Sequence, residues 1–151
     1  MFKHLLITLD GTPASEVVIG HAIDIARAMR AEVTLLRIVD AVNADWGERG
    51  TMGKGMAEST LHSAFSEQAQ EYLNRVAVQV RARGVTVSTV VKQGYPSKQI
   101  VATAREVEAD GIAMATHSRK GLNKLMFGSV AEEVLHQSSL PVLLVRSAPD
   151  A

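Results

Sequence analysis

A chain of 151 residues, 46% hydrophobic and 21% charged, has the size of one domain, for which ~100–200 residues is usual, and it can bury a core without disulfide or metal staples. Its 16 Lys and Arg balance 16 Asp and Glu, which excludes the overall basic coat that drives non-specific nucleic-acid binding; no nucleic-acid partner is expected. There is no cysteine, so disulfides, zinc–thiolate sites, iron–sulfur clusters and cysteine nucleophiles are excluded, and a cytoplasmic setting is the expectation. No apolar run approaches the ~20 residues of a membrane span, so no membrane partner is expected either.

Short apolar runs alternate with long amphipathic stretches. Leu5 to Leu9 is a continuous β-prone run of the kind buried on both faces of a parallel sheet. Thr12 and Pro13 then stand where a helix cap and first helical residue belong, and Val18, Ala22, Ile25 and Met29 form its apolar stripe. Val33 to Val39 is a second strand. Residues 41–58, with Gly47, Gly50, Gly53 and Gly55, show neither period and are expected to be a flexible loop. From Ser59 to Arg83 a stripe of Leu61, Phe65, Ala69, Tyr72, Val76 and Val80 predicts a helix of roughly seven turns, ended by Gly84. Val85 to Val91 is a β-branched third strand. Pro96 and Ser97 open a helix carrying Ile100, Ala104 and Val107. Gly111 to Ala115 is a fourth strand. Gly128 and Ser129 open the last helix, with Ser129 and Glu132 spaced as a capping box, and Val142 to Val145 is a fifth strand. Strands alternating with helices over residues 1–151, without a linker, predict a single α/β domain with a parallel sheet and helices on both faces.

In such sheets ligands bind beyond the carboxyl ends of the strands, so the residues after each strand matter most. Thr8-Leu-Asp-Gly-Thr12 is near the DxDGT signature of haloacid-dehalogenase-type phosphatases, but Thr8 stands where that nucleophilic Asp belongs. Asp10 has two compatible readings, a local turn bonded to backbone and a carboxylate placed to bind a ribose hydroxyl or base amine. Gly47 to Gly55 approximates a P-loop with wrong spacing and no Ser or Thr after Lys54. The segment Ala115 to Ser129 has two readings, an ordinary loop with a capping serine and an anion site: Gly128-Ser129 lies at a helix N-terminus, where free amides and the helix dipole favour negative charge. Arg119, Lys120 and Lys124 add basic charge or are ordinary solvated side chains. His4, His21, His62 and His136 have no partner at ligand spacing, so no metal site is expected. His117 either bonds backbone, the favoured reading, or touches a phosphate.

Three runs, Thr116-His-Ser-Arg-Lys-Gly121, Phe127-Gly-Ser-Val-Ala-Glu-Glu-Val134 and Leu140-Pro-Val-Leu-Leu-Val-Arg146, resemble the C-terminal signature of the universal stress protein family. Lys3 to Thr12 and Leu35 to Asp40 match it too. The resemblance implies a five-stranded doubly wound parallel sheet of order 3-2-1-4-5, with a switch point between strands 1 and 4. It also implies an adenine nucleotide, ATP with magnesium, as ligand. The family's G-x2-G-x9-G-[ST] motif falls on Ala115, Ser118, Gly128 and Ser129, of which the last two match. Neither departure removes a backbone amide, and Ser118 adds a hydroxyl. By the same resemblance Asp10 contacts the adenosine end, with Leu9 beside it in the expected site, Thr8 lines the base, Ile38 meets adenine through its backbone, and Ser129 holds a phosphate oxygen. Thr116, His117, Ser118, Arg119, Lys120 and Val130 complete the expected site.

The strand Leu140 to Val145 is wholly apolar yet follows the final helix, so it should lie at a sheet edge. Bare, it would be an aggregation hazard. Pairing 141–146 with the same strand of a second copy covers it, and the resemblance implies the same homodimer. The expected function is a cytoplasmic stress-response module that binds ATP and orders the loop 41–58 on binding. The alternative is a dimeric interaction protein without nucleotide. No general base or magnesium-ligand pair stands out, so no catalytic residue is assigned and any ATP hydrolysis should be slow.

Overall fold

The structure, a computed structural model, describes the backbone of residues 2–39, 56–116 and 128–147, and their side chains apart from 56–62. Among these residues the strands are β1 (His4–Leu9), β2 (Glu32–Val39), β3 (Val87–Gln93), β4 (Gly111–Thr116) and β5 (Val142–Arg146). They alternate with helices α1 (Val17–Met29), α2 (Met56–Ala82), α3 (Pro96–Glu106) and α4 (Ser129–Gln137). All pairings are parallel, in the order β3-β2-β1-β4-β5, the order that the family resemblance implies.

Continuous apolar strands produce this architecture because alternate side chains enter two separate cores. Leu5, Ile7 and Leu9 of β1 join Val33 and Leu35 of β2 beneath α1 and α2. Leu6, Leu36, Ile112 and Met114 face α3 and α4. Leu6, Ile7, Leu35 and Leu36 are completely buried, each worth about 1.5–3 kcal/mol of transfer free energy. Asp110 ties the start of β1 to that of β4, its carboxylate accepting the amides of Lys3 (2.7 Å) and His4 (3.0 Å). Burial pulls this carboxyl up, but those amide bonds outweigh it and hold it below the usual carboxylate value.

Several local expectations are corrected. α1 begins at Val17 rather than after Thr12. Residues 12–16 are consumed by two turns, Ser15 N–H to Thr12 O and Glu16 N–H to Pro13 O, each 3.1 Å. The buried stripe of α1 is Val18, Ala22, Ile23 and Ala26; Ile25 is only partly buried and Met29 is 38% exposed. α2 starts at Met56, so its first turn takes the end of the segment 41–58 expected as loop; positions 40–55 lie outside the described residues. The sheet-covered part of α2 begins at Ala69 and uses Leu73, Val76, Ala77 and Val80, which leaves Phe65 exposed one turn earlier; the Leu61 side chain is outside the description. β3 runs two residues later than expected. The capping box of α4 does not form, because the N-cap is Gly128 and Ser129 is already helical; a box needs the hydroxyl at the cap itself.

Candidate functional site at the carboxyl ends of β1 and β4

β1 lies between β2 and β4, and the direction of sheet growth reverses there. Doubly wound sheets open a crevice at this point, beyond the strand ends. Register decides what meets in it. Leu9 pairs with Arg37 of β2, and Ile7 with Ala113 of β4. The same offsets carried on place Asp10 level with Ile38 on one side and Thr116 on the other.

The β1–α1 turn is built by Asp10. Its Oδ1 accepts the Thr12 amide (2.8 Å) and hydroxyl (2.6 Å). The Ser15 hydroxyl accepts the Asp10 amide (3.2 Å) and donates to the Thr12 carbonyl (2.9 Å). The local-turn reading of Asp10 is therefore realised, while its side chain stays exposed at the mouth of the crevice. Thr8 and Ile38 are half-buried, and Ile38 packs on the α3/α4 core. The Leu9 side chain is buried in the α1/α2 core, so it is the Leu9 backbone that is left at the strand end.

On the other side, Ala115 packs against the α1/α2 core and Thr116 is buried. The Thr116 carbonyl accepts both the amide (3.0 Å) and the hydroxyl (2.9 Å) of Ser147, a clip that joins the ends of β4 and β5. His117, Ser118, Arg119 and Lys120 lie outside the described residues. Gly128 caps α4 with its carbonyl bonded to the Glu132 amide (3.0 Å), so the amides of Ser129, Val130 and Ala131 have no acceptor within the helix. Ser129 is exposed, Val130 is anchored on the α3/α4 core, and a Cβ at Gly128 would meet nothing within 4 Å among the described residues. This open helix start can hold an anion. Among the described residues no His, Cys, Asp and Glu cluster could hold a metal ion.

Sequence reasoning missed several supporting residues. Glu133 of α4 accepts hydrogen bonds from the Tyr95 hydroxyl (3.0 Å) and the Ser97 hydroxyl (2.5 Å) at the start of α3. The Ser97 and Tyr95 bonds hold its carboxyl below the usual range. Arg37 and Tyr72 stack beside the Asp10 turn. The Tyr72 hydroxyl is buried and makes no hydrogen bond of normal geometry among the described residues. Burial and the nearby Glu16 push it up to about 12, against the opposing pull of Ser15, with Asp10 adding to the rise. The available signal was Arg37 itself, a charge in phase with buried Val33 and Leu35.

Fold and crevice together define a doubly wound α/β protein with an open switch-point crevice beyond the carboxyl ends of β1 and β4. The chain belongs to the universal stress protein family, whose profile matches residues 1–146. It is 33% identical over 146 residues to universal stress protein MJ0531 of Methanocaldococcus jannaschii, covering 97% of this chain and 83% of that one. Universal stress protein YxiE of Bacillus subtilis is 27% identical over 150 residues, covering 97% of this chain and all of that one. The solved structure of MJ0577 superposes with a TM-score of 0.82 at 25% identity, covering 99% of each chain. Two further solved universal stress proteins share the fold, one in complex with cAMP (TM-score 0.68, 19% identity, 97% and 98% covered). The other, from Archaeoglobus fulgidus, is in complex with dAMP (TM-score 0.63, 20% identity, 95% and 97% covered). Among the described residues no helix is long and apolar enough to cross a membrane.

Proposed function

We propose that this chain is a stress-response regulatory module that binds an adenine nucleotide, ATP with magnesium, at the carboxyl ends of β1 and β4. The observation that carries this reading is the exposed Asp10 turn at the switch point of the sheet, in a fold whose helix α4 begins on the carboxyl side of β4 with free amides. A nucleotide has matching ends: a hydroxyl- and amine-bearing adenosine for the carboxylate, and an anionic phosphate chain for the helix terminus. The related proteins crystallised with cAMP and dAMP support an adenine nucleotide as the ligand class. In this reading Asp10 contacts adenosine, Ile38 offers its backbone to the base, and the Ser129 hydroxyl and amide hold a phosphate oxygen. The same reading includes a homodimer through β5, whose half-buried apolar side chains lie at the sheet edge.

Gly128→Asp tests it. The cap has φ −45° and no described residue within 4 Å of its missing Cβ, so its backbone suits a side chain, while a carboxylate would repel phosphate. Calorimetric titration with ATP and magnesium, and in parallel with cAMP and AMP, should give micromolar binding that falls at least ~100-fold in the variant. That loss corresponds to about 2.7 kcal/mol, at unchanged melting temperature. Wild-type protein that takes up none of the three at millimolar concentration would overturn the nucleotide reading and favour a nucleotide-free interaction protein.

A further inference from the structure

Arg37 occupies a position where the sequence pattern calls for an apolar side chain. It follows Val33 and Leu35 on the sheet face covered by α1 and α2, and both of those residues are buried. Its guanidinium lies against Gly11. A Cβ built on that glycine would stand 2.8 Å from Cζ, 2.9 Å from Nη1 and 3.0 Å from Nη2. Three nearly equal distances mean that the flat face of the group, not its edge, covers the glycine. Cζ also stands 5.2 Å from the centroid of the Tyr72 ring on α2, within cation–π range. Gly11 is therefore restricted twice, by φ +87° and by the guanidinium in its side-chain space. It is also the middle residue of the turn in which Asp10 Oδ1 accepts the Thr12 amide and hydroxyl. The contact ties the β1–α1 turn to α2 across the end of β2.

We propose that Arg37 is a positioning residue: stacked on Gly11 and Tyr72, it presets the Asp10 turn for the nucleotide. The inference rests on the reading above that Asp10 contacts adenosine. A turn held only by its own short hydrogen bonds loses conformational freedom when a ligand fixes its carboxylate, and prior packing removes part of that penalty. The chemistry suits arginine alone among the cations. A planar, weakly hydrated guanidinium covers a glycine and stacks on a ring at once, whereas an ammonium is a compact, strongly hydrated charge. Arg37→Lys therefore keeps the charge and removes the stack.

Two measurements on the full chain decide the matter. In ligand-free protein, hydrogen exchange at the Thr12 amide should accelerate about tenfold in Arg37→Lys, equal to ~1.4 kcal/mol of lost local protection, while core amides of β1 keep theirs. An unchanged Thr12 rate would overturn the proposal. In a double-mutant cycle read by ATP affinity, Arg37→Lys and Asp10→Asn should each weaken binding about tenfold. Because one residue acts through the other, the double variant should be no more than ~2-fold weaker than Asp10→Asn alone. Additive losses would overturn the proposal and make Arg37 an independent contact. Failure of wild-type protein to bind any nucleotide would instead refute the proposed function, with the exchange experiment still deciding whether Arg37 holds the turn.

Discussion

Tyr72 illustrates how much a single side chain reports about its surroundings. Its buried hydroxyl and the neighbouring Glu16 and Asp10 charges disfavour the phenolate, raising the group from its ordinary 10.0 to about 12. The unfolded chain releases this proton near pH 10 and the folded one does not. The contribution to stability is thus complete below pH 10 and is lost as pH rises towards 12. The chain has two tyrosines, so absorbance titration of a Tyr95→Phe variant should follow Tyr72 alone, with a midpoint near 12; a midpoint near 10 would refute the burial account. Asp110 has the opposite sign. Its lowered carboxyl stabilises the fold above the ordinary 3.8, and that contribution disappears as pH falls through its folded value. Asp110→Asn should lower the melting temperature at neutral pH and flatten the acid side of the stability profile. The role of Asp10 as a turn former was legible, since Asp before Gly and Thr is turn chemistry. Ser15 and Tyr72 were not, because only the charge of Arg37 in phase with Val33 and Leu35 marks the place, and nothing local announces that three separate elements meet there.

Elements were legible where periodicity carried them and blurred where packing chose among equivalent faces. The sequence offers several apolar stripes along α1, and tertiary contact with the sheet selected Val18, Ala22, Ile23 and Ala26. Gly20 lies in the same helix, exposed, with nothing within 4 Å of its absent side chain. Gly20→Ala should therefore stabilise the protein by about 0.5–1 kcal/mol through backbone entropy alone, measured as a rise in the urea midpoint at constant m-value. On α2, Leu73 is completely buried while Phe65 is 38% exposed. Leu73→Ala should cost about 2–5 kcal/mol and Phe65→Ala less, about 1 kcal/mol, although the bare sequence marks the aromatic residue as the core member. Chemical denaturation of both variants separates the two assignments.

At the scale of the molecule, the β5 edge is the feature most open to test. Val142 to Val145 are half-buried and Arg146 is exposed, and β5 pairs only with β4 among the described strands. Sedimentation over a wide concentration range should show a species of twice the monomer mass. Val142→Lys, whose ammonium can reach solvent at the strand end, should convert it to monomer with unchanged circular dichroism. A wild-type monomer at every concentration would remove the homodimer from the proposal.

The sequence by itself determined the class of the fold and its strand content, because apolar runs of strand length and amphipathic stretches of helix length admit one layered arrangement. Family resemblance then supplied the strand order, which periodicity does not contain. Composition alone excluded thiol chemistry and a basic nucleic-acid coat. Tertiary structure decided which side of each helix meets the sheet, where α1 begins, and that Gly128 rather than Ser129 caps α4. It also placed the Leu9 side chain in the core and assembled Gly11, Arg37 and Tyr72 into one stack. These are contacts between residues far apart in the chain, set by register and packing, and local pattern holds no record of them.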